Sequence, residues 1–330
     1  MAEYLPSKQT TRVRIPIGAL NMEENKQAES HQPGQKFSER FGKFHDKYYK
    51  LLLIIPILLL ILGFVYMFSF YQKNNDYIYR DISLTGGTSV TINQAININD
   101  LSNAISEKLD NVNIREISDL VTKEQIAVIV ETKSDAELTR SVLEKYLGYK
   151  LTGENSSFEF TGSTLSESFF KQLLIAVLIA FVLMAIVVFI QFKSFIPSLA
   201  VISCAFVDIF FTLVVANLIG LQISTAGIVA FLMLIGYSVD TDILLTTKAI
   251  KRDEGSLNKR IFDSFKTGIT MTLTSLVAVL IALIIIGRFS SILSQIFTIM
   301  VIGLSFDIFN TWITNVSIIK WYASKRQNRK

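Results

Sequence analysis

The chain has 330 residues, of which 50% are hydrophobic and only 18% are charged, and its formal net charge at pH 7 is +4. Globular domains carry about 25% charged residues, and here the charges are also missing from several apolar runs of about 20 residues. This pattern excludes a soluble enzyme, a disordered chain and a nucleic-acid binder driven by net charge. The single cysteine, Cys204, excludes a disulfide framework or a cysteine-based metal site within one chain. We expect no metal and no cofactor.

The N-terminal segment, residues 1–49, is mostly polar and has little periodic apolar pattern. We interpret it as a largely disordered tail in the cytoplasm. Residues 50–70 are uncharged after Lys50 and predict the first membrane-spanning helix. This helix is not a signal peptide, because a long polar segment precedes it and no small-residue cleavage site follows.

Residues 71–171 predict a small α+β domain between the first and second spans. Residues 88–92 and 125–131 are rich in β-branched side chains, and residues 134–147 have one apolar helical face. The predicted order of elements is β-α-β-β-α-β, which is the ferredoxin-like arrangement. The segment contains no His, no Cys and no obvious carboxylate pair. We therefore interpret it as a binding or docking module rather than a catalytic domain.

Residues 172–319 predict a bundle of five further spans, which gives six transmembrane helices in all. Lys and Arg flank one side of these spans, and residues 320–330 form a basic tail, whereas the loop at 216–223 has no charge. The positive-inside rule then places both termini in the cytoplasm and the segment 71–171 outside. We expect a multi-pass protein of the cytoplasmic membrane.

Four aspartates lie within these spans: Asp208 in the third, Asp240 and Asp242 in the fourth, and Asp307 in the sixth. A carboxylate at a helix centre costs about 2.5–3.5 kcal/mol on insertion scales, so such residues normally face a bundle interior and serve ion pathways. No Lys, Arg or His lies inside the predicted spans, so each carboxylate must be protonated, hydrated or paired with another subunit. We expect Asp242, nearer the cytoplasmic end, to reach water or Lys248.

Other polar residues share helical faces with these aspartates, and we expect the resulting stripes to face inward. Asp307 and Asn310 are the expected partners of Asp240, with Thr270 and Thr274 nearby. For any single Thr or Asn, plain helix–helix hydrogen bonding is the alternative. The candidate proton-relay and interface residues are Asp240, Tyr237, Thr241, Asp242, Asp307, Asn310, Asp208, Thr270 and Thr274.

Three motifs together suggest a family. They are Asp81-Ile-Ser-Leu-Thr-Gly-Gly-Thr88 soon after the first span, Gly236-Tyr-Ser-Val-Asp-Thr-Asp-Ile-Leu244 in the fourth, and Gly303-Leu-Ser-Phe-Asp-Ile-Phe-Asn-Thr-Trp312 in the sixth. With the six-span layout, the chain resembles the SecF family of the RND superfamily, and its archaeal form in particular. The resemblance covers residues 45–325.

The resemblance implies a role in protein export rather than an enzymatic one. In the family, SecF pairs with SecD, a related six-span protein, and the pair assists the SecY translocon and uses the proton gradient to promote the passage of preproteins. The expected partners are therefore SecD, SecY, translocating preproteins and membrane lipid, and no nucleic acid. Asp240 matches the fourth-span position that the family links to proton passage near the subunit interface.

The Asp81–Thr88 motif also has an interpretation in terms of backbone geometry. Gly86 and Gly87 permit a tight turn that joins the domain to the bundle, so we interpret Asp81, Gly86 and Gly87 as a hinge. A phosphate site is disfavoured because no Lys-Ser/Thr follows the glycines.

Two other classes stay open. An RND-type exporter of small molecules or lipids would need two such halves and a larger funnel domain. An intramembrane aspartyl protease would need Gly-x-Gly-Asp, whereas Asp240 follows Tyr237-Ser-Val.

Overall fold

The computed structural model describes residues 33–119, 122, 124–251, 255–287 and 290–327. The first helix, α1, covers Pro33–Asn74 and is much longer than one span. The prediction of a disordered tail was therefore wrong for residues 33–49, whereas residues 1–32 lie outside the described residues. Extending an existing helix costs far less than nucleating one, and Pro33 occupies the first helical position, which proline favours.

The remaining long helices follow the small domain in quick succession. They are α5 (Ser163–Phe192), α6 (Phe195–Leu218), α7 (Thr225–Lys251), α8 (Leu257–Ile286), α9 (Ser291–Asn310) and α10 (Val316–Gln327), with a π-helical turn at Thr311–Asn315 between the last two. Six helical stretches of the described chain are long and apolar enough to cross a membrane. The prediction of six spans is confirmed.

The helices differ in how far they are enclosed by their neighbours. In α6 and α7, 56% of the most apolar window is buried, compared with 6% in α5 and in α8 and 17% in α1. A central core joins these helices to α9, where Ala216, Phe231, Leu234, Ile299 and Leu304 pack together. Helices α6, α7 and α9 therefore form the centre of the bundle, and α1, α5 and α8 have outward faces that consist largely of apolar side chains.

A small α+β unit lies between α1 and α5. Its elements are the short helix α2 (Ile82–Thr85), β1 (Gly87–Ile92), α3 (Ile98–Ile105), β2 (Asn113–Ser118), β3 (Gln125–Thr132), α4 (Ala136–Leu147) and β4 (Ser156–Thr161). We call residues 87–161 the inter-span domain. Its four strands form an antiparallel sheet in the order β2-β3-β1-β4.

The two faces of this sheet have different neighbours, because side chains alternate along a strand. On one face, Val90 lies opposite Val130, and both pack with Leu101 of α3 and Leu143 of α4 in the domain core. Asn113, Arg115 and Glu131 point to the other face. There Arg115 pairs with Asp81 of the connection between α1 and β1, residues 75–86, which we call the junction, and Asn113 donates to Gln222 in the loop between α6 and α7. The polar face of the sheet therefore lies over one end of the bundle, which we call its domain side.

Candidate functional site

Three aspartates are fully buried at the centre of the bundle, one from each central helix. Asp208 of α6, Asp242 of α7 and Asp307 of α9 each have 0% of their surface exposed. Within the described residues, no ion pair reaches any of them. Since an uncompensated buried charge is very costly, their hydrogen bonds decide how they are tolerated.

Asp208 is held by side chains of the two neighbouring central helices. Ser238 Oγ of α7 donates to Asp208 Oδ2 at 2.5 Å, and Asn310 Nδ2 of α9 donates to Asp208 Oδ1 at 3.1 Å. Asn310 also donates to the carbonyl oxygen of Cys204 at 2.9 Å, one turn earlier on α6. The amide therefore ties α9 to α6 at two successive turns.

Asp242 contacts both ends of the π-helical turn. Its Oδ1 accepts hydrogen bonds from Thr311 Oγ1 at 2.9 Å and from Asn315 Nδ2 at 2.7 Å, which are the first and last residues of the turn. Among the described residues, its Oδ2 has no hydrogen-bond partner. Turns of this kind are frequent at functional sites.

Asp307 is linked to Asp242 by a shared hydroxyl. Thr311 Oγ1 lies 3.3 Å from Asp307 Oδ1, while Thr272 Oγ1 of α8 lies 3.4 Å from Asp307 Oδ2. A hydroxyl has one proton to donate, so Thr311 donates to one of the two carboxyl groups at a time. Protonation of one carboxyl group would therefore favour donation by the Thr311 hydroxyl to the other. We call Asp208, Asp242, Asp307 and their donors Ser238, Thr272, Asn310, Thr311 and Asn315 the buried acid cluster.

The prediction that Tyr237 and Asp240 lie on the inward face of α7 was wrong. Tyr237 and Asp240 are exposed, whereas Thr241 is buried and lies 3.3 Å from Thr272, hydroxyl to hydroxyl. In the part of the chain that the structure describes, no hydrogen bond joins Asp307 or Asn310 to Tyr237 or Asp240. The buried face of α7 is the one that carries Ser238, which bonds to Asp208, and Asp242, which bonds to Thr311 in the π-helical turn. The sequence pattern alone fits both faces.

Asp242 does not reach water or Lys248 as expected. It is fully buried, and the Lys248 ammonium instead donates to Thr267 Oγ1 at 3.1 Å and to the carbonyl oxygen of Asp263 at 3.4 Å. The physical reason is that α7 crosses the π-helical turn at Asp242. Two side chains of that turn, Thr311 and Asn315, donate hydrogen bonds to the carboxylate.

The predicted inward stripe of α8 was also wrong. Thr270 and Thr274 are exposed, and their hydroxyls donate to carbonyl oxygens of their own helix, those of Lys266 and Thr270, at 2.8 Å each. A threonine that bonds to its own backbone is satisfied without a neighbour. Thr272, which the prediction omitted, is the α8 residue that faces the cluster.

Four contributors to the buried acid cluster are absent from the candidate list: Ser238, Thr272, Thr311 and Asn315. A signal existed for two of them, since Ser238 precedes Asp242 by four residues and Thr311 follows Asp307 by four, so that each shares the helical face of its aspartate. The contact of Asn315 with Asp242 is made from the last residue of the π-helical turn.

An uninterrupted exposed stripe runs along α7 on the side away from the buried acid cluster. Val229, Met233, Gly236 and Asp240 follow one another at intervals of four, three and four residues, and all four are exposed. We call these four residues the α7 stripe. Tyr237, which lies beside it, is 46% exposed. Such spacing is the heptad pattern of a helix that packs on another helix, and Asp240 places a carboxylate on it.

A second group of polar contacts joins the inter-span domain to the bundle. Asp81 caps α2 by accepting a hydrogen bond from the Ser83 amide at 2.9 Å, and its other oxygen pairs with Arg115 at 2.9 Å. Arg115 also pairs with Glu131. Burial, reinforced by the neighbouring Asp81, raises the pKa of Glu131 above its ordinary value despite this pairing with Arg115. Asp81 and Glu131 are thus brought to the two sides of one guanidinium group only by the fold.

Gly86 and Gly87 form a close-packed connection between α2 and β1. Their φ angles are +80° and +147°, which favour glycine. A Cβ atom on Gly86 would lie 2.5 Å from Ser163 Cα, and one on Gly87 would lie 2.3 Å from the carbonyl oxygen of Thr132. The glycines therefore provide the tight turn expected of them, and both are enclosed by backbone. A hinge motion about them stays a prediction.

The bundle, the buried acid cluster and the inter-span domain define a class of polytopic membrane protein. The protein-family model "Protein export membrane protein SecD/SecF, C-terminal" matches residues 141–325 of this chain. The protein-export membrane protein SecF of Methanocaldococcus jannaschii is 36% identical over 291 residues, which are 86% of this chain and 99% of that protein. The SecF of Methanolacinia petrolearia is 34% identical over 292 residues, 88% of this chain and 98% of that protein. The chain belongs to the SecF family of protein-export membrane proteins.

The same fold occurs in a solved structure. The crystal structure of SecDF, a translocon-associated membrane protein from Thermus thermophilus, superposes with a TM-score of 0.66 at 18% identity and covers 84% of this chain. At this identity the likeness concerns the fold alone. This chain spans 38% of the length of that SecDF chain.

Proposed function

We propose that this chain is an accessory subunit of the Sec translocase and that it works with a SecD companion at the SecY channel to promote preprotein export. Membership of the SecF family supports the general role. The observation that carries the proposal of a companion is the α7 stripe. An aspartate that faces lipid costs about 2.5–3.5 kcal/mol, so a helix that exposes Asp240 at heptad spacing is adapted to a neighbouring helix.

The proposed companion also agrees with the likeness to SecDF. The matched SecDF chain is longer than this one, which covers only 38% of it. The α7 stripe supplies a narrow seam that a helix of similar pattern could fill, and Gly236 has open space around its Cβ position.

The proposed orientation places both termini in the cytoplasm and the inter-span domain outside the cytoplasmic membrane. It is supported by basic residues that lie on the side of the bundle opposite the domain, among them Lys248, Lys251, Lys259 and Lys325. The loop between α6 and α7, on the domain side, has no charge.

We assign the inter-span domain to the ferredoxin-like arrangement. The assignment is supported by the order β-α-β-β-α-β along the chain and by the antiparallel strand order β2-β3-β1-β4. We propose that this domain binds preprotein segments and does no chemistry, so that the subunit is not an enzyme.

The proposed coupling to the proton gradient uses the acids of the bundle. Its support is the buried acid cluster, in which Thr311 stands between Asp242 and Asp307 and no cation within the described residues neutralises either carboxyl group. Moving one proton down the membrane potential provides about 2.3 kcal/mol per 100 mV. Asp240, on the α7 stripe, is the acid that a companion would meet.

The test is affinity purification of the tagged chain in mild detergent, with every co-purifying membrane protein identified. We expect a SecD protein in the native sample and its loss in Gly236→Phe, because the new ring blocks the seam. Leu178→Phe is the matched control, since Leu178 on α5 is 62% exposed and lies outside the stripe. Recovery of the chain with copies of itself only would favour a small-molecule or lipid exporter, and retention of SecD by Gly236→Phe would refute the seam.

A further inference from the structure

The domain-side end of α9 is fixed to the loop between α6 and α7 by one side chain. Gln295 is 5% exposed. Its Oε1 accepts hydrogen bonds from the Ser224 amide at 3.1 Å and from the Ser224 hydroxyl, and its Nε2 donates to the carbonyl oxygen of Gln222. A Cβ atom on Gly227 would lie 2.8 Å from Gln295 Oε1, so the amide lies directly against the α7 backbone.

The same loop is bonded to the polar face of the sheet. Gln222 Oε1 accepts a hydrogen bond from Asn113 Nδ2 at 2.9 Å, and Asn113 Nδ2 also donates to Glu131 Oε2 at 2.9 Å. Arg115 then connects Glu131 to Asp81, the cap of α2. The polar contacts therefore form an unbroken series from α9 through the loop to two strands and to the junction.

Backbone contacts reinforce this series at its middle. The Ile223 amide donates to the carbonyl oxygen of Tyr79 at 2.6 Å, and the Asp81 amide donates to the carbonyl oxygen of Ile223 at 3.0 Å. The Leu84 side chain of α2 is fully buried in the same core as Ile223, Ile299 and Met300. These contacts fix the junction to the loop, and Gln295 fixes the loop to α9.

The other end of α9 carries Asp307, one of the three acids of the buried acid cluster. Gln295 and Asp307 lie on one uninterrupted helix, about 18 Å apart at 1.5 Å per residue. A helix with all its internal hydrogen bonds moves as a unit, so a shift or rotation at Asp307 displaces Gln295 as well. The looser π-helical turn lies beyond Asp307, on the side away from the domain.

We propose that Gln295 is the positioning residue through which a displacement of α9 at the buried acid cluster reaches the inter-span domain. The inference rests on the proposed coupling role and names the contact that transmits it. Without the Gln295 amide, the loop loses its polar contacts with α9 and is joined to that helix only by the apolar packing of Ile223 and Leu84 with Ile299 and Met300. Spatial continuity alone does not establish such coupling, so the proposal depends on a double-mutant cycle.

The experiment measures the distance between two spin labels in the full chain, purified with any SecD that accompanies it. The labels are attached at Lys145→Cys on α4 and Ile190→Cys near the end of α5 that is remote from the domain, both exposed, in a Cys204→Ala background. Asp307→Asn serves as the perturbation, because it keeps the shape of the side chain and cannot gain or lose the carboxyl proton. Each distance is recorded with native Gln295, with Gln295→Leu and with the neighbouring control Ser294→Ala.

We expect Asp307→Asn to shift the label distance in the native and Ser294→Ala backgrounds and to shift it by much less in Gln295→Leu. An equal shift in Gln295→Leu, or no shift with native Gln295, would overturn the proposal. If Gln295→Leu does not fold, Asn113→Leu interrupts the same series at the sheet and is expected to reduce the shift likewise. Loss of SecD from the purified sample would count against the proposed function only, since the distance is measured within one chain.

Discussion

At the scale of single residues, the bundle tolerates its acids through donors of its own. Asp208 and Asp242 accept hydrogen bonds, at donor–acceptor distances of 2.5–3.1 Å, from the hydroxyl or amide groups of Ser238, Asn310, Thr311 and Asn315. A hydrogen bond contributes about 0.5–1.5 kcal/mol, and about 1.5–3 kcal/mol when one of its groups is charged, so several of them offset part of the cost of burial. The acids of the buried acid cluster therefore have hydrogen-bond donors within this chain, whereas Asp240 is exposed.

Glu131 gives a prediction for the pH dependence of stability. Its pKa in the folded chain is raised above the ordinary value of 4.5, so folding favours the protonated carboxyl group. This contribution is complete below about pH 4.5 and is lost as the pH rises through the folded value. The charged groups that face it are Arg115, which opposes the shift, and Asp81, which adds to it.

We therefore expect the thermal midpoint of the native chain to fall between pH 4.5 and pH 7.5 by more than that of Glu131→Gln. Unfolding in detergent, followed by circular dichroism at both pH values, measures the difference. Glu137→Gln, on the exposed face of α4, is the control and should retain the native pH dependence. An identical fall in Glu131→Gln would show that the Glu131 carboxyl group does not titrate differently on folding.

At the scale of elements, two glycines set how closely the helices approach. A Cβ atom on Gly303 of α9 would lie 2.4 Å from Leu234 of α7, and one on Gly268 of α8 would lie 2.6 Å from Trp312 in the π-helical turn. Small residues of this kind let helix backbones approach in membranes. Here the approach at Gly268 brings Thr272, one turn further along α8, within reach of Asp307.

Gly268→Ala is predicted to separate α8 from the π-helical turn, because the added methyl group meets the rigid indole of Trp312. Overpacking of this type costs about 1–3 kcal/mol, and we expect a lower thermal midpoint in the purified chain. Gly236→Ala on α7 is the matched control, since nothing lies within 4 Å of its Cβ position. Equal midpoints for the two variants would show that α8 accommodates the added methyl group without a loss of stability.

The π-helical turn shows why elements could be predicted better than their contacts. The six spans and the four strands follow from apolar runs, alternation and length, which are local properties of the sequence. The turn at Thr311–Asn315 interrupts a continuous helical pattern, and it brings Asn315 to Asp242 at 2.7 Å. Asp307, Thr311 and Asn315 follow one another at intervals of four residues and share a helical face, but only the structure shows that Thr311 and Asn315 meet Asp242 of α7.

At the scale of the whole molecule, the first and last helices close the bundle on the side away from the inter-span domain. Lys320 of α10, only 5% exposed, pairs with Asp46 of α1 at 2.9 Å, and Asn258 of α8 donates to the other oxygen of Asp46 at 2.7 Å. The long helix α1 is thereby joined to both α8 and α10. The junction at Asp81 is fixed on the domain side of the bundle, and Asp46 joins helices on the opposite side. The α7 stripe is exposed between these two ends.

Asp240→Asn is predicted to slow the export of a poorly translocated preprotein severalfold while co-purification with SecD is preserved. Asparagine keeps the size of the side chain on the stripe but cannot carry a proton. Pulse-chase measurement of export at full proton-motive force provides the readout, and the exposed Asp263→Asn on α8 is the control. Normal export by Asp240→Asn would contradict a relay role for this residue, and an export defect restricted to Asp307→Asn would assign the role to the buried acid cluster.

The sequence alone determined the membrane class, the number of spans, the small antiparallel sheet and the family, because apolar length, alternation and contiguous motifs are written along the chain. It also identified the four intramembrane aspartates, since a charge in an apolar run is conspicuous wherever the helix faces. Only the tertiary structure decided which of them are enclosed. A helix of 3.6 residues per turn offers several faces with polar residues, and the choice among those of α7 and α8 depends on how α9 and its π-helical turn pack against them.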